Sequence, residues 1–129
     1  MAAGHLFVLG GARSGKTAFA EQTALATGKA PVYLATGGAG DAEMAARIEA
    51  HRAARGPAWR TVEEPLNLAA AISRESRAET VILVDCLTLW LSNLMADDAD
   101  PLAAGAGLVE ALAAAPGPVI LVSNEVGQG

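Results

Sequence analysis

Gly10-Gly11-Ala12-Arg13-Ser14-Gly15-Lys16-Thr17 follows directly on the apolar run Leu6-Phe7-Val8-Leu9. This is the GxxxxGK[ST] pattern in the strand-before, helix-after setting that gives it meaning as a phosphate-binding loop. Glycine backbones curl tightly and turn their N–H groups inward, where they cradle phosphate oxygens. Lys16 then reaches the β and γ phosphates, the Thr17 hydroxyl ligates Mg²⁺, and a helix beginning at about Gly15 adds the positive end of its dipole. The competing reading is a glycine-rich turn that merely joins a strand to a helix. With all three parts in register, the expectation is a nucleoside triphosphate bound with Mg²⁺.

Two further groups could complete such a site. Val81-Ile82-Leu83-Val84-Asp85 is four β-favouring apolar residues ending in a carboxylate, so Asp85 is the expected partner of Thr17 at the metal. Alone, it reads equally well as a turn or helix-capping acid. The stretch from Asp41 to Arg55 has helical character, and residues four apart share a face, which makes one stripe of Arg47, His51 and Arg55. Two guanidiniums and an imidazole suit phosphate clamping, or attack on phosphorus by a neutral histidine whose proton nearby positive charge helps remove. A solvated helix face with Glu43 paired to Arg47 accounts for the same spacing. His5 reads as the lead-in to the first strand, and Asp97, Asp98 and Asp100 before Pro101 as a solvated turn with a helix cap.

These groups need a scaffold that brings loops together. Short β-rich runs at Leu6–Leu9, Pro31–Ala35, Trp59–Val62, Val81–Val84 and Val119–Ser123 alternate with helical stretches at Lys16–Ala26, Asp41–Ala54, Leu66–Ser76, Thr88–Ala96 and Pro101–Ala114. Gly28, Gly56-Pro57 and Pro116-Gly117-Pro118 punctuate them. The alternation predicts an α/β fold of P-loop NTPase type: a mostly parallel sheet with helices on both faces and ligands beyond the carboxyl ends of its strands. Bulk composition agrees: 129 residues with 52% hydrophobic and 4% aromatic content form one domain over residues 1–129, its core built from Val, Leu, Ile and Ala. A net charge of −5 offers no field for nucleic acid. No run is long enough for a signal sequence or a membrane span, so a cytoplasmic location is expected. The single cysteine, Cys86, excludes an internal disulfide and a cysteine metal cluster, and reads as a small buried residue at a strand end.

Gly10 to Lys16, Asp41-Ala42-Glu43-Met44-Ala45-Ala46-Arg47-Ile48, His51-Arg52, Trp59-Arg60-Thr61 and Val122-Ser123-Asn124-Glu125-Val126-Gly127 together resemble the bifunctional adenosylcobinamide kinase/adenosylcobinamide-phosphate guanylyltransferases of cobalamin synthesis. The resemblance runs from the first strand to the last residue. It implies phosphorylation of adenosylcobinamide by GTP or ATP. It also implies transfer of GMP from GTP to adenosylcobinamide phosphate through a guanylyl-histidine at His51. The same matching places Gly10, Gly11, Ala12, Arg13, Ser14, Gly15, Lys16 and Thr17 on phosphates, with Thr36, Gly37, Gly38, Arg52, Ala53, Ala54, Arg55, Glu63 and Asp85 in the nucleotide site. Trp59 and Trp90 are left as packing residues. A trimer is the family's usual assembly.

The sequence departs from the family pattern in three places. Ala50 stands where a second histidine commonly precedes the nucleophile, Thr17 replaces a more frequent serine, and the family continues beyond Asn-Glu-Val-Gly with further helix and strand, so a fold without that C-terminal portion is expected. Two other readings fit the residues: a different small-molecule P-loop kinase, in which His51 only helps hold the triphosphate, and an inactive GTP-binding module.

Overall fold

The computed structural model describes residues 4–10, 15–37, 46, 49, 53, 56 and 58–124. Five strands, β1 (Leu6–Gly10), β2 (Ala30–Ala35), β3 (Arg60–Glu63), β4 (Thr80–Asp85) and β5 (Val119–Asn124), form one sheet in the order β1-β5-β4-β2-β3. Every pairing among them is parallel. The described helices are α1 (Lys16–Ala26), α2 (Leu68–Glu75), α3 (Leu87–Ala96) and α4 (Pro101–Ala114). Of the helix expected over 41–54, Ala46, Glu49 and Ala53 are described and are helical. The remainder lies outside the described residues.

A strand covered on both faces has no solvent side, and the central strands accordingly read as near-continuous apolar runs. Their side chains alternate between two cores. Val32 and Leu34, Ile82 and Val84, and Val119 and Leu121 face α2, α3 and α4 through Leu68, Ile72, Trp90, Leu94 and Leu108. Tyr33 and Ala35, Val81 and Leu83, and Ile120 and Val122 face the side covered by α1, whose Ala20 and Ala24 lie fully buried in that core. Alanines one turn apart let α1 sit close to the sheet, which fixes where its first turn points. The edges differ: β3 carries Arg60 and Glu63, charges that discourage further strand pairing, whereas β1 leaves Leu6, Phe7 and Leu9 exposed.

The element boundaries shift where side chains intervene. β3 starts at Arg60 because the Trp59 ring is drawn into the α1-side core, where it meets Tyr33 edge-on at 6.2 Å between centroids. α2 starts at Leu68 because the Glu64 carboxylate accepts from the N–H groups of Leu66 and Asn67 at 3.2 and 3.0 Å, holding them in a turn ahead of the helix. Trp90 packs as expected, its indole N–H donating to the Leu66 carbonyl at 2.9 Å. Asp100 caps α4 by accepting from Leu102 N–H at 3.0 Å, with Pro101 opening the helix. His5 does more than lead into β1. Val119 N–H donates to its Nδ1 at 3.0 Å and its Nε2 lies 2.7 Å from the Leu112 carbonyl, so the neutral ring protonated at Nε2 ties β1 to α4 and β5.

Gly117, between α4 and β5, is a close-approach glycine. A Cβ there would lie 2.1 Å from the Arg77 carbonyl oxygen and 2.5 Å from that of Thr80, both backbone atoms. Gly105, inside α4, meets nothing within 4 Å. Urea denaturation is therefore expected to show opposite signs: Gly117→Ala destabilising by about 2–3 kcal/mol through overpacking, and Gly105→Ala stabilising by about 0.5–1 kcal/mol through helix propensity.

Candidate functional site

All five strands end on one edge, and the chemistry-bearing residues gather there. Gly10 aligns with Asn124, Val122 with Asp85, and Ala35 with both Asp85 and Glu63. β5 separates β1 from β4, and Asp85 is level with Val8 while Gly10 lies two residues further along, so the Gly10 and Asp85 backbones stand about 12 Å apart. Such a gap would be linked through phosphate and cation rather than by direct contact. Asp85 follows Val81 and Leu83 in the alternation, so its side chain belongs to the α1 face. Glu63 shares that face, because Val62 packs into the opposite core.

The loop after β1 enters α1 through Gly15, whose φ of 79° is left-handed and favours glycine. Phe19 N–H donates to the Gly15 carbonyl at 3.0 Å, closing the first turn around Lys16 and Thr17, both half-buried. Lys16 lies near enough to the β4 terminus for its positive charge to favour the ionised form of Cys86. It also borders an outer cleft of about 470 Å³ walled by Leu6, Phe7, Leu9 and Phe19. Those walls suit an apolar neighbour rather than a triphosphate.

Thr36 is fully buried and every polar group it carries is engaged. Its N–H donates to the Asp85 carbonyl at 3.2 Å. Its hydroxyl donates to the Cys86 carbonyl at 2.7 Å and accepts from the Cys86 N–H at 2.9 Å. Its own carbonyl accepts from the Asn93 amide at 2.7 Å, and the same amide nitrogen donates to the Pro65 carbonyl at 3.1 Å. The loops after β2, β3 and β4 are thus braced to one another and to α3. Thr88 and Ser123 hydroxyls, 2.9 Å apart, join the start of α3 to the end of β5. The Tyr33 hydroxyl donates to Asp85 Oδ2.

A family model described as cobinamide kinase / cobinamide phosphate guanyltransferase matches residues 6–129. The chain belongs to this family. It is 52% identical over 124 residues to the bifunctional adenosylcobalamin biosynthesis protein CobP of Pseudomonas aeruginosa, covering 95% of this chain and 72% of that protein. It is 38% identical over 139 residues to the corresponding protein CobU of Escherichia coli, covering 96% and 76%. Among solved structures, the RadB recombinase matches with a TM-score of 0.54 at 20% identity, over 93% of this chain and 60% of that one. At that identity the likeness concerns the fold alone, which is the P-loop α/β type. The chain is therefore an enzyme of a bifunctional kinase and guanyltransferase family.

Among the residues expected at this family's nucleotide site, the structure brings Gly10, Gly15, Lys16, Thr17, Thr36, Gly37, Glu63 and Asp85 to the carboxyl edge and the helix that leaves it. Ala53 is helical and exposed. Gly11, Ala12, Arg13, Ser14, Gly38, His51, Arg52, Ala54 and Arg55 lie outside the described residues, as do Arg47 and Ala50. Sequence reasoning missed Tyr33 and Asn93. A tyrosine near the end of an apolar strand and an asparagine within the apolar helix LTLWLSNLMA were the available signals, since a buried hydroxyl or amide requires a partner.

The oxygen donors of Thr17 and Asp85 suit a hard cation such as Mg²⁺. Among the described residues no group of three or more His, Cys, Asp or Glu could hold a metal, so a cation here would draw most of its ligands from phosphate and water, as Mg²⁺ ordinarily does. Cys86 follows Asp85 directly in the chain. Burial pushes its thiol above the usual value; the Asp85 charge raises it further, while N–H groups of Leu89 and Thr88 and the Lys16 charge pull it back. It is half-buried at the α3 N-cap, more open than the small buried strand-end residue expected from the sequence.

Because burial holds the thiol protonated through neutral pH, iodoacetamide at pH 8 is expected to alkylate native Cys86 more slowly than the urea-unfolded chain, the difference shrinking as pH rises above the ordinary thiol value. Equal rates at pH 8 would contradict this environment. Thr36→Val strips the hydroxyl from a buried site and strands the Cys86 N–H and carbonyl, which is expected to cost about 2–4 kcal/mol in urea denaturation. Thr36→Ser, keeping the hydroxyl, is expected to retain most of that stability.

Proposed function

We propose that this chain phosphorylates adenosylcobinamide with a nucleoside triphosphate and transfers GMP from GTP to adenosylcobinamide phosphate through a guanylyl-histidine at His51. Supporting this is the family match over residues 6–129, together with one feature of the geometry: the Asp85 carboxylate lies on the sheet face that carries the first turn of α1, with Lys16 near the same strand end.

In this reading Gly10 to Thr17 hold the triphosphate, with Lys16 balancing charge on the β and γ phosphates as it develops. Mg²⁺, when bound, would neutralise phosphate charge, and Thr17 and Asp85 are the residues that would hold it. Thr36, Gly37, Gly38 and Glu63 shape the nucleotide side of the edge, and Arg52, Ala53, Ala54 and Arg55 continue it beyond His51. For the kinase step, the substrate hydroxyl oxygen attacks the γ-phosphorus, the bond to the β–γ bridging oxygen breaks with the nucleoside diphosphate taking the electron pair, and the hydroxyl proton is released to solvent. For the transfer step, an imidazole nitrogen of neutral His51 attacks the α-phosphorus of GTP, a P–N bond forms, and the bond to the bridging oxygen breaks with pyrophosphate taking the electron pair. A phosphate oxygen of adenosylcobinamide phosphate then displaces the histidine, giving adenosylcobinamide-GDP. Arg47 and Arg55, one helical turn to either side of His51 in sequence, supply the compensating charge.

No described helix is long and apolar enough to cross a membrane. We place the enzyme in the cytoplasm as a homotrimer, in keeping with its substrates and family.

The test is direct. Incubation with Mg²⁺ and GTP labelled at the α-phosphate is expected to leave acid-labile, alkali-stable label on the protein, and His51→Ala is expected to carry none. Unlabelled protein that nevertheless binds GTP would turn the reading to a plain P-loop kinase or an inactive GTP-binding module.

A further inference from the structure

Asp85 is not left to orient itself. Its backbone is anchored by Thr36, whose N–H donates to the Asp85 carbonyl at 3.2 Å, while its side chain takes a hydrogen bond from the Tyr33 hydroxyl at Oδ2. Tyr33 lies on the adjacent strand β2, opposite Leu83, so its ring must run along the α1 face toward the strand ends to reach a carboxylate two residues further on. The ring is held in that direction. It is 5% exposed, packed in the α1-side core, and set edge-on against Trp59 at 75°. Trp59, Tyr33 and Asp85 therefore form a line of contacts that ends on the candidate metal-holding carboxylate.

We propose that Tyr33 is a positioning residue for Asp85, its hydroxyl fixing the carboxylate in the orientation that meets the cation of a nucleoside triphosphate. The proposal rests on the reading of Asp85 given above. A carboxylate offers about four lone-pair sites over two oxygens. A phenol committed to one of them removes rotational freedom while leaving acceptor capacity for a hard cation or its water. Outer partners of metal-holding groups act in this way, and their loss ordinarily weakens metal affinity about 10- to 100-fold. Tyr33 itself touches neither phosphate nor cation in this arrangement. Its effect should therefore appear in the Mg²⁺ dependence of nucleotide binding, and only while Asp85 is present to transmit it.

The experiment is equilibrium binding of a fluorescent GTP analogue to the whole chain across a Mg²⁺ titration, for wild type, Tyr33→Phe, Asp85→Asn and the double variant. Tyr33→Phe is expected to raise the Mg²⁺ concentration for half-maximal enhancement about 10-fold, to leave binding in EDTA unchanged, and to add nothing in the Asp85→Asn background. A wild-type titration for Tyr33→Phe while Asp85→Asn is shifted would overturn the proposal and leave the Asp85 reading standing. Additive shifts in the double variant would overturn it also, because Tyr33 would then act by another route. A wild-type titration for Asp85→Asn would remove the reading of Asp85 and the proposal with it.

Tyr33 is the sole tyrosine of the chain, which permits a second measurement that needs no substitution at that position. With ¹³Cζ-labelled tyrosine the protein gives one phenol resonance. Addition of Mg²⁺ to the GTP-bound protein is expected to move it in the wild type and not in Asp85→Asn. An unmoved resonance in wild type would contradict the link between Tyr33, Asp85 and the cation.

Discussion

Parallel strands cannot be joined by tight turns, because each must be followed by a crossover that returns the chain to the starting edge. Every residue that follows a strand is thereby delivered to the same side of the sheet. Gly10, Thr36, Glu63 and Asp85 are far apart in sequence and line the same side of the sheet for this reason alone. Loops gathered at such an edge carry backbone groups that the strand ladders no longer satisfy, and those groups must find partners if the edge is to keep one shape. Thr36 and Asn93 provide them. Thr36 spends its hydroxyl on both backbone groups of Cys86, and Asn93 spans the Thr36 and Pro65 carbonyls. The bracing runs through backbone groups of Asp85, Cys86 and Pro65 and does not engage the Asp85 and Glu63 carboxylates.

The two cores serve that edge unequally. The side covered by α2, α3 and α4 is the more extensive cluster, and from it α3 sends Trp90 and Asn93 back to the loop after β3. On the other side α1 rests on small residues, Ala20 and Ala24, close against β4 and β5. Close seating there brings the start of α1, with Gly15, Lys16 and Thr17, to the face on which Asp85 lies. The Tyr33 hydroxyl bond to Asp85 belongs to the same face. One core therefore stiffens the platform, and the other aligns the groups proposed to hold phosphate and cation.

Much of the fold was legible because its causes are local or periodic. The strand β4 and the acid that ends it could be read from four apolar β-formers and a carboxylate, and α4 from Asp100-Pro101 ahead of an alanine-rich run. The turn into α1 followed from the glycine-rich spacing, and Gly15 adopts the left-handed backbone such a turn requires. What escaped sequence reasoning was lateral. Tyr33 meets Asp85 across a strand pairing between β2 and β4 that skips β3, a neighbour relation no local pattern records. Asn93 reaches two loops because α3 crosses beneath both. His5 gained its role from Val119 and Leu112, more than a hundred residues later. In each case the residue type announced that a partner was needed, and only the topology named it.

The central claim is that phosphate and cation meet at the carboxyl edge between β1 and β4, and a crystal structure of the chain with Mg²⁺ and a non-hydrolysable GTP analogue tests it most directly. The account predicts the β and γ phosphates against Gly15 and Lys16, with the cation between the Thr17 hydroxyl and the Tyr33-bound carboxylate of Asp85. A triphosphate seated away from that edge, or a cation with neither Thr17 nor Asp85 within its first layer of ligands and waters, would contradict it.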